Sequence, residues 1–279
     1  MPDIPFDDID KGRRVIDTID MKNSMHPVYV LWATPRSTST AFEWMMRMRG
    51  DMTCYHEPFG EAWYQGDDAR APRLTDASPR KAGLSFDTVL AKILAAARQR
   101  PVFSKDMAQF TEHLWNGDFL HNFEHSFLIR DPAKVLTSLH RSWIKSGNDE
   151  GFTRNEIGVD EQRRLFDLLC DRLGKTPVVI DSDDLLEDPA TMVEQYCIAI
   201  GVPFIAGALS WEPGSRSEVL WYDGDDSIWH ETLKHSNGLR AQPRKTVAID
   251  DLPKRLQHLY REFLPHYQHL HQHRMRLAR

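Results

Sequence analysis

The chain has 279 residues, 41% hydrophobic and 27% charged, with a net charge of −6; this suits a globular protein with a sizeable core and excludes bulk attraction to nucleic acid or to a membrane surface, so any anion site must be a local cluster of Arg and Lys. Three scattered cysteines, Cys54, Cys170 and Cys197, form neither a zinc spacing nor a disulfide framework, which favours a reducing compartment. The acidic N-terminus lacks a signal-peptide core and no apolar run approaches the roughly 20 residues of a membrane span, so a cytoplasmic protein is expected.

Residues 1–26 read as a loosely attached arm and 27–279 as an α/β domain. Apolar runs at Val28–Ala33, Met52–Tyr55, Val102–Lys105, Ser126–Arg130 and Pro177–Asp181 predict strands. Helical periodicity near 40–49, 86–100, 132–145, 161–173 and 189–200 separates them. That alternation predicts a parallel β-sheet flanked by helices on both faces. Asp131-Pro132 and Asp188-Pro189 each set an N-cap before a proline at the first helical position. Met192, Val193, Tyr196 and Ile200 form one stripe, and Gly201 ends that helix. The polar segment 62–82 reads as a loop or flap. The region 207–245, with Trp211, Trp221 and Trp229 but no clear period, reads as a lid or substrate wall. At the C-terminus His266, His269 and His273 share a helix face that could hold a metal, but no acids adjoin them and the stretch reads as a solvated basic tail.

Two stretches carry chemistry. The first strand runs into Pro35-Arg36-Ser37-Thr38-Ser39-Thr40 before a helix opens. In an open parallel sheet this turn meets ligands, and the helix N-terminus offers free N–H groups and the positive end of a dipole. The hydroxyls of residues 37–40 add donors, and Arg36 adds a planar fork matched to an oxyanion. With no glycine and no Gly-Lys-Ser/Thr, the loop is not that of a nucleoside triphosphatase. Phosphoryl transfer leans on metal ions to neutralise a heavily charged group; a sulfuryl group carries less charge, so arginine, lysine and backbone donors suffice and no metal is expected. The second stretch, FLIRDPAKVLTSLHRSW at 127–143, ends a strand on Arg130 and starts a helix at Pro132. Val135, Leu136, Leu139 and Trp143 supply the buried stripe, which leaves Arg130 and Ser138 free to converge on one ligand group; a capped helix with a surface ion pair is the alternative.

The pairing of these stretches resembles the sulfotransferases that use 3′-phosphoadenosine 5′-phosphosulfate. The resemblance extends over roughly 28–212 and includes VVIDSDDLLEDPATMVEQYCIAIGVPF, which is similar to the family's strand, acidic turn and Asp-Pro helix. It implies a P-loop-like fold in which Arg36, Ser37, Thr38, Ser39, Thr40 and Ala41 cradle the 5′-phosphosulfate. Arg130 and Ser138 would then hold the 3′-phosphate. Thr38 stands where the family usually has glycine, and the family's C-terminal Arg-Lys-Gly clamp has no clear counterpart beyond 235–240 or Arg244-Lys245.

Sulfuryl transfer to an alcohol needs a base near the acceptor oxygen. One branch of the family places a histidine two residues after a strand-end lysine, but Met107 occupies that position after Lys105. CYHEPF at 54–59 offers Glu57, which resembles the glutamate base of other branches, with His56 as the rival. A turn-capping role for Glu57 is the plain alternative. Lys105 is expected either beside the sulfuryl group or paired with Asp106. The implied reaction moves a sulfuryl group to a hydroxyl or amine of a small-molecule acceptor; a homodimer is compatible with it. A nucleotide-dependent small-molecule kinase, or a non-catalytic nucleotide-binding protein of the same fold, is the other reading.

Overall fold

The computed structural model describes residues 25–72, 74, 79–146, 151–174, 176–214, 219 and 227–277. The expected arm, up to residue 24, and Trp221 lie outside the described residues, as does the side chain of Trp229.

Strand β1 (Val28–Ala33) is buried along its whole length. Val28, Val30 and Trp32 join the apolar cluster on one face of the sheet, and Tyr29, Leu31 and Ala33 join the cluster on the other. A strand covered on both faces must be apolar at every position, which is why it reads as a continuous run rather than an alternating one. The remaining strands are β2 (Thr53–His56), β3 (Val102–Asp106), β4 (Glu124–Ile129) and β5 (Val178–Asp181). All pairings are parallel, in the order β2-β3-β1-β4-β5. The expected strands are therefore all present, to within a residue or two.

The helices are α1 (Ser39–Met48), α2 (Pro58–Gln65), α3 (Phe86–Ala97), α4 (Gly117–Leu120), α5 (Pro132–Ser146), α6 (Arg154–Ile157), α7 (Val159–Leu173), α8 (Ser182–Glu187), α9 (Pro189–Ala199), α10 (Ser227–Lys234) and α11 (Lys254–Gln272). Phe59 and Trp63 of α2, Val89 and Ile93 of α3, and Leu165 and Phe166 of α7 cover one face of the sheet. Phe42 and Met45 of α1, with Met192, Val193 and Tyr196 of α9, cover the other. Both Asp-Pro caps form: Asp131 accepts from the Ala133 N–H at 2.8 Å, and Asp188 from the Thr191 N–H at 3.1 Å. Gly201 sits at φ 73°, the left-handed turn that stops a helix at little cost for glycine alone.

Three expectations change. The segment 62–82 begins inside a helix, because α2 continues to Gln65 with its Phe59 and Trp63 face buried. Trp211 is a core residue rather than substrate wall: it is buried and meets Trp44 edge-to-face at 5.9 Å. The C-terminal histidines are not a solvated tail. His266 and His269 ride on α11, with His273 just past its end, and Leu256, Leu259 and Phe263 of α11 pack with Val135, Leu136 and Leu139 of α5. The acids missing beside them in sequence come from α7: His266 lies 3.2 Å from Asp160 and His269 lies 2.7 Å from Asp167. Among the described residues no group of three or more His, Cys, Asp or Glu is arranged to hold a metal ion, and no helix is long and apolar enough to cross a membrane.

Candidate active site

The carboxyl ends of all five strands open on one edge of the sheet, and a cleft of about 800 Å³ lies there. β1 is central, flanked by β3 and β4, so the chain leaves it in opposite directions and a crevice forms beyond its end.

Residues 36–41 line that crevice. Two of them are non-glycine residues in left-handed backbone, Arg36 at φ 61° and Thr38 at φ 72°. Such conformations cost on the order of 1–3 kcal/mol each and persist where the surroundings over-determine them. Here the surroundings do so through hydroxyls. Ser37 Oγ, fully buried, donates to the Thr34 carbonyl at 2.6 Å, and Thr38 Oγ1 lies 2.7 Å from Ser182 Oγ at the head of α8. The turn that glycine usually makes is thus kept by Thr38, whose side chain anchors it. The loop leads straight into the N-terminus of α1, where free N–H groups and the positive end of the helix dipole favour an anion.

Arg130 follows directly on β4, and its Nη1 donates to the main-chain carbonyl of Arg36. Arg36 Nε in turn donates to Ser138 Oγ at 2.9 Å. Arg130 and Ser138 therefore meet through Arg36, and the two stretches singled out in sequence are one hydrogen-bonded unit. Burial, then the charge of Arg130, lowers Arg36 below the usual guanidinium range. Burial lowers Arg130 as well, although Asp183, Asp181 and Asp131 oppose the shift. Arg130 Nε is buried with no hydrogen-bond partner. A buried donor left this way costs about 1–3 kcal/mol, which a seated oxyanion would recover. Further cations line the same half of the cleft: Lys134 of α5, paired with Asp183, and Arg240, Arg244 and Lys245. Arg244 is held by Asp184 and by Glu187. Both stretches considered as replacements for the clamp thus reach the cleft.

At the β2–β3 side stand the expected proton-handling groups. Glu57 is the third non-glycine residue with positive φ, at 42°, and its side chain lines the cleft while only 7% of the residue is exposed. Of the two expectations for Lys105, the pairing with Asp106 is replaced: fully buried, Lys105 ion-pairs with the Glu57 carboxylate instead. Asp106 is occupied instead by the backbone N–H groups of Phe59 and Met107, both at 2.9 Å. His56 lies opposite Lys105 in the β2–β3 register. Its Nδ1 is 2.6 Å from Glu43 Oε2 on α1, and Glu43 accepts from Arg47 Nε at 2.8 Å. Burial works against the Glu43 charge, yet His56, Arg47 and Lys105 hold its carboxyl below the usual range. An ionised carboxylate only accepts, so Nδ1 carries a hydrogen and donates it to Glu43. The His56 Nε2 lies 3.9 Å from Glu57 Oε1. Tyr64, Met107, Phe110, Trp143 and Phe152 give this half of the cleft an apolar wall.

Glu43, Lys134, Asp183 and His230 were not singled out in sequence. The spacing of Glu43 and Arg47, four apart in an otherwise apolar helix, was the available signal for one of them. His230 comes from α10, within the region expected to be a lid, where no periodic pattern exposed it.

The sulfotransferase domain profile matches residues 28–271. Branched-chain-amino-acid aminotransferase-like protein 2 of Arabidopsis thaliana is 26% identical over 215 residues, 77% of this chain and 36% of that protein. The protein called sulfotransferase ppzF of Metarhizium majus (strain ARSEF 297) is 27% identical over 150 residues, 48% of this chain and 44% of that protein. The chain thus spans less than half the length of the curated relatives it matches. Among solved structures, the sulfotransferase domain from the curacin biosynthetic pathway aligns over 86% of this chain and 98% of its own, at 16% identity and a TM-score of 0.48. A profile that runs from the first residue of β1 to the last turn of α11, and so takes in the arginine-linked loops and the whole sheet, establishes that the chain belongs to the sulfotransferase family.

Proposed function

We propose that the protein transfers a sulfuryl group from 3′-phosphoadenosine 5′-phosphosulfate to a hydroxyl or amine of a small acceptor. The observation that carries this reading is the half-buried Arg36–Arg130 pair, with the buried Arg130 Nε lacking a hydrogen-bond partner, at the mouth of a helix N-terminus. Two half-buried guanidiniums whose charges act on one another are arranged for an anion. The residues fit a nucleotide with two anionic ends: loop 36–41 would take the 5′ end, and Arg130 with Ser138 the 3′-phosphate. The nucleotide, when bound, supplies an activated sulfur whose bond to the phosphate oxygen breaks as the bond to the acceptor oxygen or nitrogen forms. Arg36 and the N–H groups opening α1 neutralise charge that develops on the departing phosphate oxygen. Glu57 takes the acceptor proton at its carboxylate, and the ion pair with Lys105 holds that carboxylate in place. The apolar wall from Tyr64 to Phe152 keeps water from competing with the acceptor.

The test is a calorimetric titration with 3′,5′-adenosine bisphosphate and with AMP, each with and without Mg²⁺. Metal-independent binding of the bisphosphate, much tighter than of AMP, is expected. Equal affinities for the two nucleotides refute the assignment, and a strict Mg²⁺ requirement turns the reading toward a kinase.

A further inference from the structure

The proton-handling groups on the cleft floor come from the sheet edge, with one exception. His230 is carried by α10, and its ring stands 6.1 Å from that of His56 at 86°. It lines the cleft together with Arg36 and Glu57. The charges that act on it converge from separate elements: His56 ends β2, Lys105 lies in β3, Arg36 follows β1, and Glu43 of α1 is the opposing charge. Next to it on α10, Glu231 forms an exposed pair with Lys145 of α5 at 3.1 Å. Burial and the surrounding cations hold His230 well below the ordinary histidine range, so it is neutral in the cleft. An anion on loop 36–41 would lie among these same cations and reverse the field they produce at the imidazole.

We propose, on the basis of the phosphosulfate reading above, that His230 contacts the sulfuryl end of the nucleotide: neutral before the anion arrives, it takes up a proton from solvent as the anion seats and then donates a hydrogen bond to a sulfuryl oxygen. The proton returns to solvent when the anionic product leaves. Charge for the transferring group is in this way supplied on demand, with no permanently protonated imidazole beside Lys105 and Arg36. The histidine is a reporter of occupancy as well as a binding group, since its charge follows the anion.

Ring ¹H–¹³C spectra of histidine-labelled full-length protein at pH 7 test this without an acceptor. His230 is identified by the resonance lost in His230→Gln, or in His230→Asn should the first variant fail to fold. On adding 3′-phosphoadenosine 5′-phosphosulfate the His230 signal should move from the neutral to the imidazolium position, while adenosine leaves it unmoved. His230→Gln should weaken binding of the phosphosulfate about tenfold and of the bisphosphate less. If the phosphosulfate shifts the His56 signal while His230 stays neutral, the inference about His230 fails and the nucleotide assignment survives. If no ring signal responds although calorimetry shows the nucleotide bound, the inference about His230 fails; if calorimetry shows no binding either, the nucleotide assignment itself fails.

Discussion

Arg130 donates from Nη1 to the main-chain carbonyl of Arg36, 94 residues earlier in the chain. This bond couples the end of β4 to the loop after β1, so a ligand group held by Arg130 also fixes the left-handed turn at Arg36. The two anion sites expected for a bisphosphorylated nucleotide are mechanically one.

Arg130→Ala should therefore erase most of the preference for 3′,5′-adenosine bisphosphate over AMP. A hydrogen bond to a charged group contributes about 1.5–3 kcal/mol, which corresponds to roughly 10- to 150-fold in affinity. Calorimetry on wild type and variant gives the ratio directly. An unchanged ratio would place the 3′-phosphate elsewhere, with the cations at 240–245 as the next residues to replace.

Glu57→Gln should lose turnover while its bisphosphate affinity stays within a few-fold. General-base catalysis contributes typically 10²–10⁴-fold, and that is the expected loss in bisphosphate release on a panel of phenols, alcohols and amines. The variant should also melt earlier, because Lys105 loses the counter-charge that lets an ammonium lie almost fully buried; breaking such a pair costs about 3–5 kcal/mol. Replacing Lys105 by Met in the same variant should restore part of that stability and none of the turnover. Full activity in Glu57→Gln would move the base to His56, whose Nε2 faces the same carboxylate.

Much of this was legible in sequence, for identifiable reasons. β1 reads as a strand because both its faces are covered, and the Asp-Pro caps fix the starts of α5 and α9 from local chemistry alone. The loop at 36–41 stood out because Arg36 and four successive hydroxyls exceed what capping a helix requires, and it does line the cleft. What escaped depends on pairing between distant segments. Lys105 finds Glu57 rather than its neighbour Asp106 because Asp106 is already occupied by backbone N–H groups, a fact set by where α2 begins. Asp160 and Asp167 lie on α7, so the histidines of α11 looked unpartnered. His230 enters the cleft from a region whose packing follows no period, and its neighbours come from β2, β3, α1 and the loop after β1.

Thr38→Gly should fold with nearly wild-type stability, whereas Thr38→Val should lose about 1–3 kcal/mol in urea unfolding. Glycine relieves the left-handed strain at φ 72° but gives up the 2.7 Å contact with Ser182, and these effects oppose each other at about 1 kcal/mol apiece. Valine keeps the strain, adds β-branching and removes the hydroxyl. Equal stability of the glycine and valine variants would show that the Ser182 contact, not the backbone, sets the residue at this position.

The Glu43–His56 pair should make the protein acid-labile in a defined window. Glu43 is fully buried and its carboxyl is held below its ordinary value, by partners that outweigh burial. For a carboxylate whose folded pKa is depressed, the unfolded chain binds the proton first. Its contribution is therefore fully present above about pH 4.3, the ordinary glutamate value, and is lost as pH falls through the folded one. Glu43→Gln leaves Arg47 and the His56 Nδ1–H without an anionic acceptor and should be the less stable protein at pH 7. The gap should close on acidification below pH 4.3, since the wild type alone has a carboxylate there to protonate. Urea unfolding of both proteins at pH 7, 5 and 3.5 measures that gap. A difference that stays constant over this range would mean that Glu43 holds His56 through packing alone and contributes no charge to the orientation of the ring.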